Sequence, residues 1–155
     1  MPVEIERKFL VTSDDWRAGS VSAQMVQGYL SRDPDRIVRV RLCGDQAFMT
    51  VKGRPAGITR AEIEFPVPME TGRDLLALCL APTIQKTRHK VTVGSHTWEV
   101  DEFHGASAGL VVAEIELSSE DEVFLKPSWI GLEVSYDHRY TNSHLSEHPF
   151  STWGH

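Results

Sequence analysis

The feature that most constrains this chain is the way its charges fall: like-signed pairs two residues apart, set into short alternating runs. Successive side chains of a strand point to opposite faces, so residues i and i+2 share one face. Glu4, Glu6 and Lys8 line one face of the first run, with Ile5 and Phe9 on the other. Arg39 and Arg41 oppose Val38, Val40 and Leu42, and Glu62 and Glu64 oppose Ile63 and Phe65. Lys86 and Arg88, Glu99 and Asp101, and Glu114 and Glu116 repeat the pattern, and Lys52 and Arg54 close another run.

A wet sheet face alternates apolar and polar in this way, so any one pair is explained by solvent. The set is not, because a solvent face mixes Thr, Ser, Gln, Lys and Glu. Two like charges about 7 Å apart on one strand repel unless a counter-charge lies between them. Three acidic and three basic strands therefore point to faces turned toward each other or toward a ligand of both signs. Basic clusters bind phosphate oxygens, and carboxylate clusters bind hard cations such as Mg²⁺ or Mn²⁺. A metal-chelated polyphosphate needs both kinds of group in one site.

The rest of the chain reads as an α+β domain dominated by antiparallel strands. Strands are expected at 3–11, 23–31, 37–43, 46–52, 59–66, 84–93, 96–103, 110–117 and 131–135, with tight turns at Gly44-Asp45 and Gly94-Ser95. Helices are expected at 70–81, at 119–125 behind an acidic first turn, and at 13–18 and 142–147. The 155 residues suit one domain, 1–155. The net charge of −6 argues against long nucleic acid, which binds through a basic excess. The charged N-terminus, the short apolar runs and a cysteine count of two lead us to expect a cytoplasmic protein with no membrane span. The seven histidines are assigned to surface or core, and Cys43 and Cys79 receive no role.

Glu4-Ile5-Glu6-Arg7-Lys8-Phe9-Leu10-Val11 resembles the N-terminal Glu-x-Glu-x-Lys signature of the CYTH superfamily, the triphosphate tunnel metalloenzymes. Arg39-Val40-Arg41, Thr50-Val51-Lys52-Gly53, the Arg60-to-Phe65 strand, Lys86-Thr87-Arg88, the 98–103 strand and Glu114-Ile115-Glu116 are similar to the family's later strands, in order. The 129–142 segment resembles the C-terminus of its short bacterial members.

The resemblance implies an eight-stranded antiparallel β-barrel with an inward-facing charged lumen, a few outer helices, and a Mg²⁺- or Mn²⁺-dependent enzyme acting on a small-molecule triphosphate. It assigns Glu4, Glu6, Glu114 and Glu116 to the metal. Glu62, Glu64 and Asp101 go to a supporting shell or a second metal, with Glu99 a weaker candidate. Lys8, Arg39, Arg41, Lys52, Arg54, Lys86 and Arg88 are assigned to the triphosphate, with Arg60 a further candidate at a strand end. Lys8, Lys52, Lys86, Glu116 and Tyr29 are the expected catalytic groups. Arg7 is expected to be structural, and Asp137 to pair with Arg139. Three activities fit: hydrolysis of inorganic tripolyphosphate to pyrophosphate and phosphate, an adenylyl cyclase reaction, or triphosphate binding without chemistry. A homodimer is compatible with the pattern.

Overall fold

A computed structural model describes residues 1–154. Nine strands run β1 (Val3–Val11), β2 (Val21–Ser31), β3 (Ile37–Cys43), β4 (Gln46–Lys52), β5 (Thr59–Val67), β6 (Leu80–Val93), β7 (His96–Phe103), β8 (Val111–Glu116) and β9 (Ile130–Glu133). They hydrogen-bond in the order β5-β4-β3-β2-β6-β7-β8-β1, all antiparallel, and β5 returns to β1 through Val3↔Ala61, Glu4↔Arg60 and Ile5↔Thr59. Eight strands thus close a barrel. The ninth, β9, adds to β1 beyond that seam through Phe9↔Glu133 and Val11↔Ile130. Two hairpins turn on two residues, where Gly44 and Gly94 adopt φ of 61° and 63°, a region open to glycine at no steric cost.

The apolar faces of these strands pack outward. Phe9, Trp98, Val100 and Ile115 are fully buried beneath Trp16 and Trp129, and Trp98 meets Phe9 edge-on at 5.5 Å. Burying a ring such as Phe9 contributes about 3 kcal/mol, so this external cladding carries much of the hydrophobic stabilisation. A second cluster gathers Tyr29, Ile84, Phe103 and Leu110 around Leu145 of helix α2 (Asn142–Glu147). Helix α1 (Met69–Ala77) lies against β3 and β4 so closely that a Cβ on Gly72 would stand 2.4 Å from the Ala47 Cβ.

Three expectations are corrected. The helix expected at 70–81 stops at Ala77, because Leu80 is captured by β2 opposite Tyr29 and β6 therefore begins four residues before its expected start. No helix forms at 119–125. Glu122 turns back to the Ser118 N–H (2.6 Å) and to His96. Phe124 is held edge-on against Trp98 at 5.7 Å while Val123 and Leu125 stay exposed, so aromatic anchoring overrides local propensity. The helix expected at 13–18 is a three-residue 3₁₀ turn, Asp15–Arg17. Among the described residues no helix is long and apolar enough to cross a membrane.

A charged tunnel as candidate active site

Closing the barrel turns the charged rows inward around a cavity of about 790 Å³. Its wall takes Glu4, Glu6 and Lys8 from β1, Tyr29 from β2, Arg39 and Arg41 from β3, and Lys52 from β4. Arg60, Glu62 and Glu64 come from β5, Lys86, Arg88 and Lys90 from β6, Glu99 from β7, and Glu114 and Glu116 from β8. Antiparallel register sets opposite signs across strands at Lys52↔Glu62, Lys8↔Glu114 and Arg88↔Asp101. It also sets like signs together at Glu6↔Glu116 and Glu99↔Glu114, pairs that repel unless a positive charge joins them.

The basic side is built on Asp101, which is fully buried. It accepts from Lys86 Nζ at 2.7 Å and from Arg88 Nε and Nη2 at 2.8 and 2.9 Å. Burial would raise the Asp101 carboxyl, but Arg88 and Lys86 hold it far below the usual range. Burial lowers Lys86 to about 7, against the pull of Asp101. It lowers Arg41 to about 10, with Arg39 and Arg88 adding to the effect. Arg41 Nε donates to Gln27 Oε1 at 3.0 Å, and Arg39 donates to Thr50 Oγ1 at 3.0 Å. The Arg39 Nε–H is buried without a partner, a cost of about 1–3 kcal/mol that an anion in the cavity would relieve. Lys8 Nζ donates to the Tyr140 carbonyl at 3.1 Å and lies 3.9 Å from Glu114.

On the acidic side Lys52 binds Glu4 at 3.2 Å and Glu62 at 3.3 Å. Burial lifts Glu62 to about 7, with the neighbouring Glu4 reinforcing it. Burial also drives Glu6 well up, helped by Glu114 and Glu4, and raises Glu116, helped by Glu4 and Glu99. Glu114 runs the other way: burial is outweighed by Lys8 and Arg88, which hold it at about 2. The carboxylates of Glu6 and Glu116 make no hydrogen bond or ion pair among the described residues. Among those residues no three ligating groups already stand close enough to enclose a metal ion. The donor chemistry nevertheless fits one. The set is all oxygen, the ligand class of hard divalent cations, and repulsion among Glu4, Glu6 and Glu114 is what a cation would offset.

The fold brings together every expected site residue except two. Arg54 lies past the end of β4, 63% exposed and paired with Asp35. Asp101 stands behind Lys86 and Arg88, outside the cavity lining. Arg7 pairs with Glu133 at 2.8 Å, and the expected Asp137–Arg139 pair forms at 2.7 Å. Sequence reasoning missed Gln27, Thr50, Lys90 and Asn142. Lys90 was legible as the next i+2 step after Lys86 and Arg88, whereas Gln27, Thr50 and Asn142 are uncharged and carry no such signal. His144 and His148 stand four apart, and the His144 ring meets His138 at 5.1 Å and His148 at 4.7 Å, beside the cavity lining at Asn142 and Ser143.

A closed antiparallel barrel with carboxylates and cations in its lumen defines a tunnel protein of the CYTH type. The CYTH domain family model matches residues 2–144, and the chain belongs to this family. It is 45% identical to the inorganic triphosphatase of Acetivibrio thermocellus, over 99% of both chains. It is 36% identical to that of Nitrosomonas europaea, over 92% of this chain and 96% of the relative. Among solved structures, an inorganic triphosphatase superposes with a TM-score of 0.66 at 33% identity, covering 94% of this chain and 95% of the other. A Hippeastrum protein, assigned as an adenylyl cyclase and revealing a dominant triphosphatase activity, shares the fold. Its TM-score is 0.57 at 12% identity, covering 77% and 80% of the two chains.

Proposed function

We propose that the chain is a divalent-metal-dependent triphosphatase whose preferred substrate is inorganic tripolyphosphate, cleaved to pyrophosphate and phosphate. The observation that carries this reading is the lumen itself, where opposed rows of cations and carboxylates enclose a cavity of about 790 Å³. Relatives named inorganic triphosphatase across their whole length support it.

Lys8, Arg39, Arg41, Lys52, Lys86 and Arg88 bind the phosphate chain and offset the charge spread over its oxygens as the terminal P–O bond loosens. Arg39 Nε–H, buried and unpartnered, is a donor left for that purpose. Glu4, Glu6, Glu114 and Glu116 would hold Mg²⁺ or Mn²⁺, which polarises phosphate oxygens and lowers the pKa of bound water. Glu62 and Glu64 orient Lys52 and Arg39, at 3.3 and 3.6 Å, or serve a second cation. Asp101 orients Lys86 and Arg88. Tyr29, nearly fully buried in the wall opposite Arg39, supplies a hydroxyl at the basic end.

In this reading Glu116, whose carboxyl is raised by burial and its acidic neighbours, takes the proton from the attacking water. The water oxygen attacks the terminal phosphorus, the bond to the bridging oxygen breaks, and pyrophosphate leaves in line. A cytoplasmic location and a homodimer belong to the same reading, the former in keeping with two free thiols.

The test offers tripolyphosphate, pyrophosphate, ATP and thiamine triphosphate with Mg²⁺, Mn²⁺ or EDTA, and measures phosphate and cyclic AMP. Metal-dependent phosphate release, fastest from tripolyphosphate, is expected. Cyclic AMP without phosphate, or no metal-dependent turnover at all, would refute the proposal.

A further inference from the structure

Two of the tunnel's cations are held by uncharged amides that no activity so far described requires. Asn142, the first residue of α2, turns its Oδ1 to Lys86 Nζ at 3.0 Å and to Gln27 Nε2 at 2.9 Å. Gln27, fully buried on β2, turns its Oε1 to Arg41 Nε at 3.0 Å. Lysine and arginine only donate, so both amide orientations are fixed by chemistry: each cation must meet an oxygen, and the remaining Gln27 NH₂ must point at Asn142. The result is a continuous relay, Lys86–Asn142–Gln27–Arg41, spanning the chain from β2 to its C-terminal helix.

The anchoring of α2 keeps the relay in place. Thr141 caps the helix by accepting from the His144 N–H, Leu145 and Ser146 are 1% exposed, and Arg32 Nε donates to Ser146 Oγ at 2.8 Å. Asn142 is thereby carried into the cavity lining beside residues far away in sequence.

We infer that Gln27 and Asn142 are positioning residues that orient Lys86 and Arg41 toward the triphosphate without cancelling their charge. A carboxylate at either place would still accept from its cation and would neutralise it, although Gln27→Glu gives up the donor that Gln27 offers Asn142. Arg41 pairs with no carboxylate among the described residues, and Lys86 has Asp101, which it shares with Arg88. A polyanion site gains from fixed, unneutralised cations, since an oriented charge strengthens binding without reorganising when the ligand arrives. This inference rests on the triphosphate reading and adds two residues to it.

Isosteric charge insertion tests it: Asn142→Asp, which keeps shape and both accepted hydrogen bonds, and Gln27→Glu, which keeps shape and the bond from Arg41 but not the one to Asn142. Calorimetry would measure inorganic tripolyphosphate binding in EDTA, and kinetics with Mg²⁺ would separate KM from kcat. Thermal unfolding would check the fold, which the added buried ion pair leaves intact. Each variant is expected to bind tripolyphosphate on the order of tenfold or more weakly, through a higher KM with kcat changed much less. That size follows from a new negative charge within several ångströms of bound phosphate. A merely structural role predicts native affinity in both variants, and that result would overturn the inference while leaving the triphosphate reading intact. Failure of the unmodified protein both to bind tripolyphosphate in EDTA and to turn it over with Mg²⁺ would refute that reading and this inference with it.

Discussion

Asp101→Asn removes the one charge on which the basic side of the tunnel is assembled. Asp101 is 0% exposed and takes three hydrogen bonds from two cations that are themselves buried. Deleting one partner of such a group leaves uncompensated charge in a dry site, a loss of about 3–5 kcal/mol. The asparagine oxygen still accepts one donor, which favours the lower end, about 3 kcal/mol. For a chain of this size each kcal/mol moves the midpoint by roughly 2–4 °C, so thermal unfolding is expected about 6–12 °C lower. Chemistry follows the same charge. Lys86 stands at about 7 with Asp101 beside it, and without that attraction burial drives it lower still. The variant's Lys86 is then mostly neutral above neutrality. Its kcat/KM for tripolyphosphate should fall most at pH 8 and recover partly toward pH 6, where the lysine regains its proton. Circular dichroism melting and a pH–rate series measure both effects. A native melting temperature, or an unchanged pH profile, would refute the argument that Asp101 sets the charge of Lys86.

Metal-free protein should lose stability as pH rises through neutrality. Glu62 at about 7 and Glu6 well above its ordinary value keep protons in the fold that the unfolded chain gives up near 4.5, so their favourable contribution is present in acid and lost as pH rises through the folded values. The thermal shift on adding Mg²⁺ should therefore be larger at pH 8 than at pH 6, and equal shifts would count against a cation among these carboxylates. Glu116→Gln should lower kcat by about 10²–10⁴-fold at saturating metal, and a variant that turned over normally would remove Glu116 from the chemistry. Arg54→Ala should leave kcat/KM within about twofold, because an exposed ion pair is worth little and Asp35 already holds the side chain away from the lumen. A loss of tenfold would restore Arg54 to the site.

What the sequence made legible was the part governed by period two. The charged rows, the two-residue turns and nearly every strand could be read because alternation, turn glycines and like-signed pairs are local signals. The i+2 rule failed at Arg54, since β4 ends at Lys52 and the chain turns through Gly53-Arg54-Pro55. The helix at 119–125 failed because Phe124 is fixed by Trp98 and Phe9, contacts invisible to propensity. Gln27 and Asn142 are neutral and lie 115 residues apart, so nothing short of the fold could pair them.

Closure itself changes what the net charge means. Eight cations line the cavity, and seven lining carboxylates with Asp101 beneath them make eight acids, so the formal −6 belongs wholly to the exterior. The tunnel is neutral on paper, and a bare triphosphate would leave it strongly negative. Protons retained by Glu6 and Glu62 shift that balance one way, and a divalent cation shifts it further. A lumen of this composition becomes fully complementary to a polyphosphate when the anion arrives with, or meets, its metal. That explains why a chain with an acidic excess can hold a polyanion at its centre.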